Sequence, residues 1–200
     1  MNSLKTILFF LLAVSNSFGQ QGEILISYEN QNNIEIKNDK QGSYSITAIG
    51  PDPYLFTVPL TFEISEEETI FTFEYFSTEY LNNFQVFFGP PVEENYSLYS
   101  SLGIREGWSS HSIDVREAIP KGWGKPGDVL RLDFGGGAGY TGQFRNFSFR
   151  EPNASEIRKA QDKEALLKEK EAYKTELLSY LNTNFPNSIT EINVLDSVIV

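Results

Sequence analysis

The 200-residue sequence contains no cysteine and a single histidine, His111. Without cysteine there can be no disulfide framework, no thiol nucleophile and no cysteine-based zinc site, so stability must come from a packed core. Cations are also scarce, since 16 Lys and Arg residues stand against 27 Asp and Glu residues, a formal net charge of −11. Because phosphate binding draws on a basic face, this balance argues against nucleic acid as a partner.

Long apolar runs are absent except near the N-terminus, where residues 7–14 are all apolar. The run follows Lys5 and precedes Ser17-Phe18-Gly19, which is the three-part pattern of a secretory signal peptide. It is too short for a stable membrane anchor, which needs about 20 residues. We therefore predict a signal peptide over residues 1–20, cleavage before Gln20 or Gln21, and no membrane span in the mature chain.

Apolar and polar residues alternate with a period of two from Glu23 to Arg150. The alternating sets are Ile34 and Ile36; Tyr44, Ile46 and Ala48; Val58, Leu60, Phe62 and Ile64; Phe71, Phe73 and Tyr75; Phe84, Val86 and Phe88; Ile113 and Val115; Leu130, Leu132 and Phe134. Strands with one buried face give this pattern. Glycine, proline and asparagine separate the sets, and no helical pattern lies between them. The sequence predicts a mainly β fold, a jelly-roll β-sandwich of eight or more short strands over residues 21–152.

A helical connector is predicted after the sandwich, over residues 153–183. Asn153 is a favoured N-cap, and Glu156 three residues later completes a capping box. The helix is polar at its start and more apolar toward its end, which suits a spacer, although packing back onto the sandwich is the alternative. Residues 184–200 return to strand-like sequence and end in Val-Ile-Val. We expect them to open a further β element or domain of a longer protein.

No catalytic centre is predicted. His111 has serines and Asp114 as near neighbours, but all lie in one predicted strand, where alternate side chains point to opposite faces. A Ser-His-Asp triad needs side chains that converge from separate elements. The Gly135-Gly136-Gly137 run lacks the Lys-Ser/Thr of a phosphate-binding loop.

Aromatic residues in apparent loops are the main indication of a binding site. Sugar rings have apolar faces that stack on aromatic side chains, and polar neighbours bind the hydroxyl groups. The candidates are Trp123, Tyr140, Tyr80 with its neighbours Asn82 and Asn83, Tyr54, Tyr96 and Tyr99. The alternative for each is a ring packed under its own loop. Trp108 is expected to close the core instead.

A structural calcium ion is a further possibility, since oxygen ligands suit it. Asp133 and Asp128 are the candidate carboxylates, although no spacing in the sequence marks a calcium loop. No other cofactor is predicted.

Two segments resemble a known class of bacterial module. They are Gly122-Trp123-Gly124-Lys125-Pro126-Gly127-Asp128-Val129-Leu130-Arg131-Leu132-Asp133-Phe134-Gly135 and Gln143-Phe144-Arg145-Asn146-Phe147-Ser148-Phe149-Arg150-Glu151-Pro152, the second followed by a charged helix. Both resemble the N-terminal β-sandwich of large secreted polysaccharide-processing proteins from glycan-foraging Gram-negative bacteria. Those sandwiches resemble carbohydrate-binding modules of the galactose-binding type, and the segment from Gly107 to Val115 fits the same type.

The resemblance implies a non-catalytic module that binds a polysaccharide or oligosaccharide. It also implies a secreted, periplasmic or cell-surface location in a Gram-negative bacterium. One alternative is a structural or protein-interaction spacer that binds no sugar. The other is the front part of a glycoside hydrolase, whose catalytic domain would lie beyond Val200.

Overall fold

The computed structural model describes residues 22–38 and 42–184. These residues form ten strands, one 3-10 turn at Glu94–Tyr96 and one helix, α1, at Ala154–Asn184. The strands are β1 (Ile26–Asn32), β2 (Ile34–Asn38), β3 (Tyr44–Ala48), β4 (Tyr54–Thr57), β5 (Ile70–Phe76), β6 (Leu81–Gly89), β7 (Ser97–Leu102), β8 (Ser109–Asp114), β9 (Val129–Phe134) and β10 (Thr141–Arg150). The predicted mainly β fold with a long helix after it is confirmed.

The strands form two five-stranded sheets, and every strand pair is antiparallel. Sheet A has the order β1-β4-β9-β6-β7, and sheet B has the order β2-β3-β10-β5-β8. Within the described residues, only the pairs β2–β3 and β6–β7 are consecutive in the chain and neighbours in a sheet. Every other connection crosses from one sheet to the other, as in a jelly-roll sandwich.

The core is aromatic and lies between the two sheets. The ring of Phe73 lies 5.4 Å from that of Phe84 on the opposite sheet and 5.9 Å from that of Phe144. The residues predicted to face inward on β3, β5, β6 and β9 are all buried. Burial of one such side chain contributes about 1.5–3 kcal/mol, so this packing supplies the stability that disulfides would otherwise provide.

Residues 58–64 differ from the prediction, because they alternate in sequence but do not form a strand. Leu60 and Ile64 are buried. Their backbone N–H groups donate to the carbonyls of Asp128 and Gly124, at 2.8 and 2.7 Å. Pro59 has no N–H for a strand ladder. The alternation therefore marks burial against the 124–128 loop, where isolated hydrogen bonds replace a ladder.

Trp108 also differs from the prediction, because it does not close the core. It is 37 % exposed and lies just before β8. Ser109, the next residue, pairs with the buried Tyr75 and so faces inward, which turns Trp108 toward the outer face of sheet B. There the guanidinium carbon of Arg145 lies 4.1 Å from its ring centroid.

The N-terminus of α1 has the predicted capping box. Asn153 Oδ1 accepts hydrogen bonds from the backbone N–H groups of Ser155 and Glu156, both at 3.0 Å. Glu156 Oε2 accepts one from the backbone N–H of Asn153 at 2.8 Å. No residue of α1 is buried. This helix is the one that the structure describes, and it contains no stretch that is both long and apolar enough to cross a bilayer.

The described chain divides into two compact units, the sandwich up to Arg150 and the segment from Glu151 onward that contains α1. The predicted signal peptide, residues 1–20, lies outside the described residues. So does the predicted terminal β segment, apart from Asn184, which is the last residue of α1.

Candidate functional site

A row of side chains runs across all five strands of sheet A on its outer face. The strand register pairs Asn32 with Tyr54, Tyr54 with Asp133, Asp133 with Gln85, and Gln85 with Tyr99. Directly paired residues of antiparallel strands point to the same face, so these five side chains stand next to one another. Since neighbouring strands are about 4.8 Å apart, the backbones of Tyr54 and Tyr99 are roughly 14 Å apart.

A second row lies beside the first. Phe56 pairs with Arg131, Arg131 with Phe87, and Phe87 with Ser97. The ring of Phe56 meets that of Tyr54 edge-on, with 5.9 Å between centroids. We call the nine side chains of the two rows the sheet A face.

An ion pair forms the middle of the sheet A face. Arg131 Nε and Nη2 donate to the two carboxylate oxygens of Asp133, each at 2.7 Å. The guanidinium carbon of Arg131 also lies 3.8 Å from the ring centroid of Tyr54 and 5.0 Å from that of Phe87. Burial raises the pKa of Asp133, against the opposing effect of the hydrogen bonds from Arg131. The two hydrogen bonds fix the orientation of the guanidinium, which lies between the rings of Tyr54 and Phe87.

Glu94, in the 3-10 turn before β7, organises the other end of the sheet A face. Its Oε1 accepts hydrogen bonds from Gln85 Nε2 at 3.0 Å and from the hydroxyl of Tyr99 at 3.1 Å. Gln85 Nε2 also donates to Ser97 Oγ at 2.9 Å. The hydrogen bond to Glu94 raises the pKa of Tyr99. Tyr99 is 59 % exposed, but the hydrogen bond from its hydroxyl to Glu94 holds its ring beside the Gln85 amide, which binds the same carboxylate.

The sheet A face combines two kinds of contact. Tyr54 and Tyr99 place rings near its two sides. Arg131, Asp133 and Gln85 lie between them, with Asp133 and Gln85 largely covered, at 8 % and 6 % exposure. Such an arrangement suits a ligand with apolar faces and many hydroxyl groups.

Of the residues predicted from sequence, Tyr54 and Asp133 lie in the sheet A face, together with Tyr99. Tyr54 begins β4 instead of occupying a loop. Asp133 was one of two candidate calcium ligands, and its carboxylate forms an ion pair with Arg131.

Trp123 and Tyr96 lie elsewhere, each partly buried against the core. The Trp123 ring meets Phe88 edge-on at 4.9 Å, and its Nε1 donates to the carbonyl of Gly89 at 3.0 Å. The sequence predicted an exposed loop ring at Trp123. The ring instead packs against the core.

Tyr140 is also buried, with 6 % of its surface exposed and its ring stacked on Phe134. Within the described residues its hydroxyl has no hydrogen-bond partner. The single proton of the nearby Ser77 hydroxyl is shared between the carbonyls of Glu79 and Thr141, at 3.0 and 2.8 Å. Burial raises the pKa of Tyr140 to about 12. A sugar ring cannot stack on this side chain while the fold stays intact.

Tyr80 remains exposed, at 59 %, on the rim of a loop pocket of about 390 Å³. Asn82, Asn83 and the glycine-rich segment 135–139 also line this pocket. The structure thus brings Tyr80, Tyr140 and the glycine run together, but only Tyr80 presents a ring to solvent.

Asp128, the second calcium candidate, accepts the backbone N–H groups of Gly124 and Lys125 at 2.8 and 2.9 Å. It therefore fixes the turn before β9, whereas Asp133 lies near the end of that strand. In residues 22–38 and 42–184, no three His, Cys, Asp or Glu side chains come together in a group that could hold a metal ion. A structural calcium ion stays a prediction.

His111 contacts a serine that the sequence did not single out. Its Nε2 lies 2.9 Å from Ser100 Oγ, which joins β8 at the edge of sheet B to β7 at the edge of sheet A. Asp114 instead binds Arg116 at the surface, with 2.9 Å between Nη2 and Oδ2. Burial lowers the pKa of His111, as does the nearby Arg105. The contact between His111 and Ser100 connects the edges of the two sheets. It does not form a catalytic triad, because Asp114 pairs with Arg116 instead.

Gln85, Phe56, Phe87, Arg131 and Glu94 were missed by the sequence reasoning. A signal existed, because Phe56 and Phe87 are aromatic residues on the outward phase of strands whose other phase is buried. Phe87 is only 7 % exposed, and the guanidinium carbon of Arg131 lies 5.0 Å from its ring centroid, so the outward phase of β6 has packing of its own.

No protein-family model and no curated protein matches the chain. Solved structures with a similar fold include a family 6 carbohydrate-binding module from Clostridium cellulolyticum in complex with xylose, at 18 % identity and a TM-score of 0.46, covering 66 % of this chain and 98 % of that one. A low-affinity xylan-binding module from Roseburia intestinalis is 11 % identical, with a TM-score of 0.44 and coverages of 65 % and 90 %. SGBP-B, from a xyloglucan utilization locus in Bacteroides uniformis, is 17 % identical, with a TM-score of 0.43 and coverages of 65 % and 50 %. The likeness concerns the β-sandwich and assigns neither a ligand nor a residue role to this chain.

Proposed function

We propose that the sandwich is a non-catalytic carbohydrate-binding module and that it binds a polysaccharide chain on the sheet A face. The observation that carries the proposal is the row Asn32, Tyr54, Asp133, Gln85 and Tyr99. Rings stand toward its two sides, and fixed polar groups stand between them.

Rigidity of the polar groups supports the proposal. Arg131 is locked to Asp133 by two hydrogen bonds, and Gln85 is locked to Glu94 and Ser97. Groups that are already ordered lose little conformational entropy when a ligand binds, so modest contacts yield a measurable affinity.

The sheet A face is a better candidate than the loop pocket beside Tyr80. The pocket has one exposed ring, since Tyr140 is buried beneath it. The sheet A face is roughly 14 Å wide from Tyr54 to Tyr99, which allows an extended chain to contact both rings at once.

Affinity electrophoresis against a panel of soluble polysaccharides tests the proposal. We expect wild-type protein to be retarded by at least one polysaccharide, and Tyr99→Ala to lose most of that retardation. Stacking of one aromatic ring contributes about 1–3 kcal/mol, by analogy with bases stacked on aromatic side chains. Tyr99 suits the test because its side chain is largely exposed, so its removal costs little stability.

Trp108→Ala is the control, because it removes an aromatic ring that is also exposed, at 37 % against 59 % for Tyr99, but lies on the outer face of sheet B. Retardation should survive in this variant. Equal loss in both variants, or no retardation by any polysaccharide, would refute carbohydrate binding at the sheet A face. The second outcome would favour a spacer that binds no sugar.

We further propose that the protein is exported from a Gram-negative cell and that the sandwich serves a downstream domain. The charged, apolar and small-residue pattern of residues 1–20 supports export. Mass spectrometry of the protein recovered from the periplasm or medium tests this, with a mature N-terminus at Gln20 or Gln21 as the expected result. Full-length protein in the cytoplasm would contradict it.

A further inference from the structure

We propose that the sheet A face selects neutral polysaccharides and rejects chains that carry carboxylate or sulfate groups, and that Asp52 and Glu94 contribute to this selection. The inference rests on the proposed function and adds the chemical class of the ligand. It follows from how the charges around the face are paired.

Arg131 is the residue that would bind an anionic sugar, but its charge is already engaged. Its Nε and Nη2 form a fork on both oxygens of Asp133, each at 2.7 Å. A bidentate arginine–carboxylate pair is the geometry in which arginine recognises a carboxylate. The protein's own carboxylate therefore occupies the position that a uronic acid would need.

Two further carboxylates flank this pair. Asp52 lies in the turn before β4, with its Oδ1 3.5 Å from Arg131 Nη2 and its side chain 69 % exposed. The amide of Asn32 donates to the backbone carbonyl of Asp52 at 2.7 Å, which holds the turn beside the row. Glu94 stands at the opposite end, where it accepts hydrogen bonds from the uncharged Gln85 and Tyr99.

The charges do not balance. Asp133 and Arg131 cancel, so Asp52 and Glu94 leave the surroundings of the face with two negative charges. Both carboxylates also act on Asp133, since each contributes to the raised pKa of that residue, after the larger effect of burial. An anionic chain that crosses the row would meet repulsion on both sides.

The test compares two forms of one polysaccharide. One is the neutral polysaccharide that retards the protein most strongly, and the other is the same material after partial oxidation of primary alcohols to carboxylates. At an ionic strength of about 0.01 M, where the screening length is about 30 Å, we expect binding of the oxidised form to be weaker by about fivefold or more. At about 1 M salt, where the screening length is about 3 Å, the difference should shrink.

Asp52→Asn removes one of the two flanking charges without changing the shape of the side chain. The ratio of neutral to oxidised affinity should fall in this variant at low salt. Glu35→Gln is the matched control, because it removes one exposed negative charge from β2 in the other sheet and should leave the ratio unchanged.

Each outcome bears on a different claim. Equal binding of the two forms, or a preference that salt does not change, would overturn the charge selection while leaving carbohydrate binding intact. If Asp52→Asn and Glu35→Gln lower the ratio of neutral to oxidised affinity equally, the role of Asp52 is overturned. Binding of neither form would overturn the proposed function and this inference together.

Discussion

Arg131 and Asp133, two residues apart on β9, are joined by two hydrogen bonds of 2.7 Å on the outer face of sheet A. The guanidinium of Arg131 lies between the rings of Tyr54 and Phe87, so it contacts both the aromatic and the polar side chains of the face. The contribution of each part can be measured separately.

The Arg131–Asp133 pair should matter for both stability and binding. Asp133→Asn leaves the partly buried guanidinium without its main counter-charge, and we expect a loss of about 1–3 kcal/mol in the free energy of unfolding. Polysaccharide affinity should fall as well, because Arg131 is no longer held in place. Urea unfolding and affinity electrophoresis measure the two effects.

Asp114→Asn is the control for that variant, because Asp114 pairs with Arg116 at the exposed surface. Surface pairs contribute about 0–1 kcal/mol, so this change should cost less and leave binding intact. If both variants lose the same stability and the same affinity, the pair on β9 has no special role.

Tyr140→Phe should leave the protein as stable as wild type, or slightly more stable. The substitution removes a buried hydroxyl that lacks a hydrogen-bond partner among the described residues, and such a group costs about 1–3 kcal/mol in the folded state. Polysaccharide binding should not change, because the ring is buried. A marked loss of affinity in the folded variant would show instead that Tyr140 reaches the ligand.

Trp123→Ala should destabilise the fold without changing affinity per folded molecule. The substitution removes ring packing on Phe88 and Phe149 and the hydrogen bond to Gly89, for which we expect a loss of about 2–4 kcal/mol. Thermal unfolding measures the loss, and affinity at a temperature where the variant is folded completes the test. A folded Trp123→Ala protein that binds no polysaccharide would move the site to the 120–124 turn.

His111 should make the stability of the sandwich depend on pH. Because burial and Arg105 lower its pKa below the ordinary value of about 6.5, the unfolded chain binds more protons than the folded chain in that range. Stability should therefore fall as the pH drops below about 6.5. The contact with Ser100 between the two sheet edges is the place where this protonation acts.

His111→Gln removes the titrating group and keeps a side chain that can bind Ser100. Urea unfolding at a series of pH values gives the free energy of unfolding of the wild type and of the variant. Plotted against pH, the two free energies should run parallel above about pH 7 and diverge below about 6.5, because the variant loses less stability. Curves that stay parallel throughout would exclude His111 as the cause.

Much of the fold could be predicted from the sequence, because a period of two reports which side of a strand is buried. The alternation in Tyr44, Ile46 and Ala48 matches their burial in β3. It failed at residues 58–64, where the same alternation reflects packing of Leu60 and Ile64 against a loop. The alternation in the sequence indicates which residues are buried, but it does not indicate which backbone groups form hydrogen bonds with each other.

The candidate site was harder to predict, because it depends on register across strands that are far apart in the chain. Tyr54, Asp133 and Gln85 become neighbours only when β4, β9 and β6 pair. No local spacing encodes that pairing. Loop position was also a poor guide to exposure, since Trp123 and Tyr140 fold inward whereas Tyr54 lies on a strand.

The most direct test of the account is to map the bound polysaccharide by amide chemical shifts, with an oligosaccharide from the best-binding polysaccharide. If the polysaccharide binds on the sheet A face, the largest shifts fall on β4, β9, β6 and β7, around Tyr54, Asp133, Gln85 and Tyr99, and saturate with one binding curve. Shifts concentrated at Tyr80 and the 135–139 segment, or on the outer face of sheet B around Trp108, would contradict it.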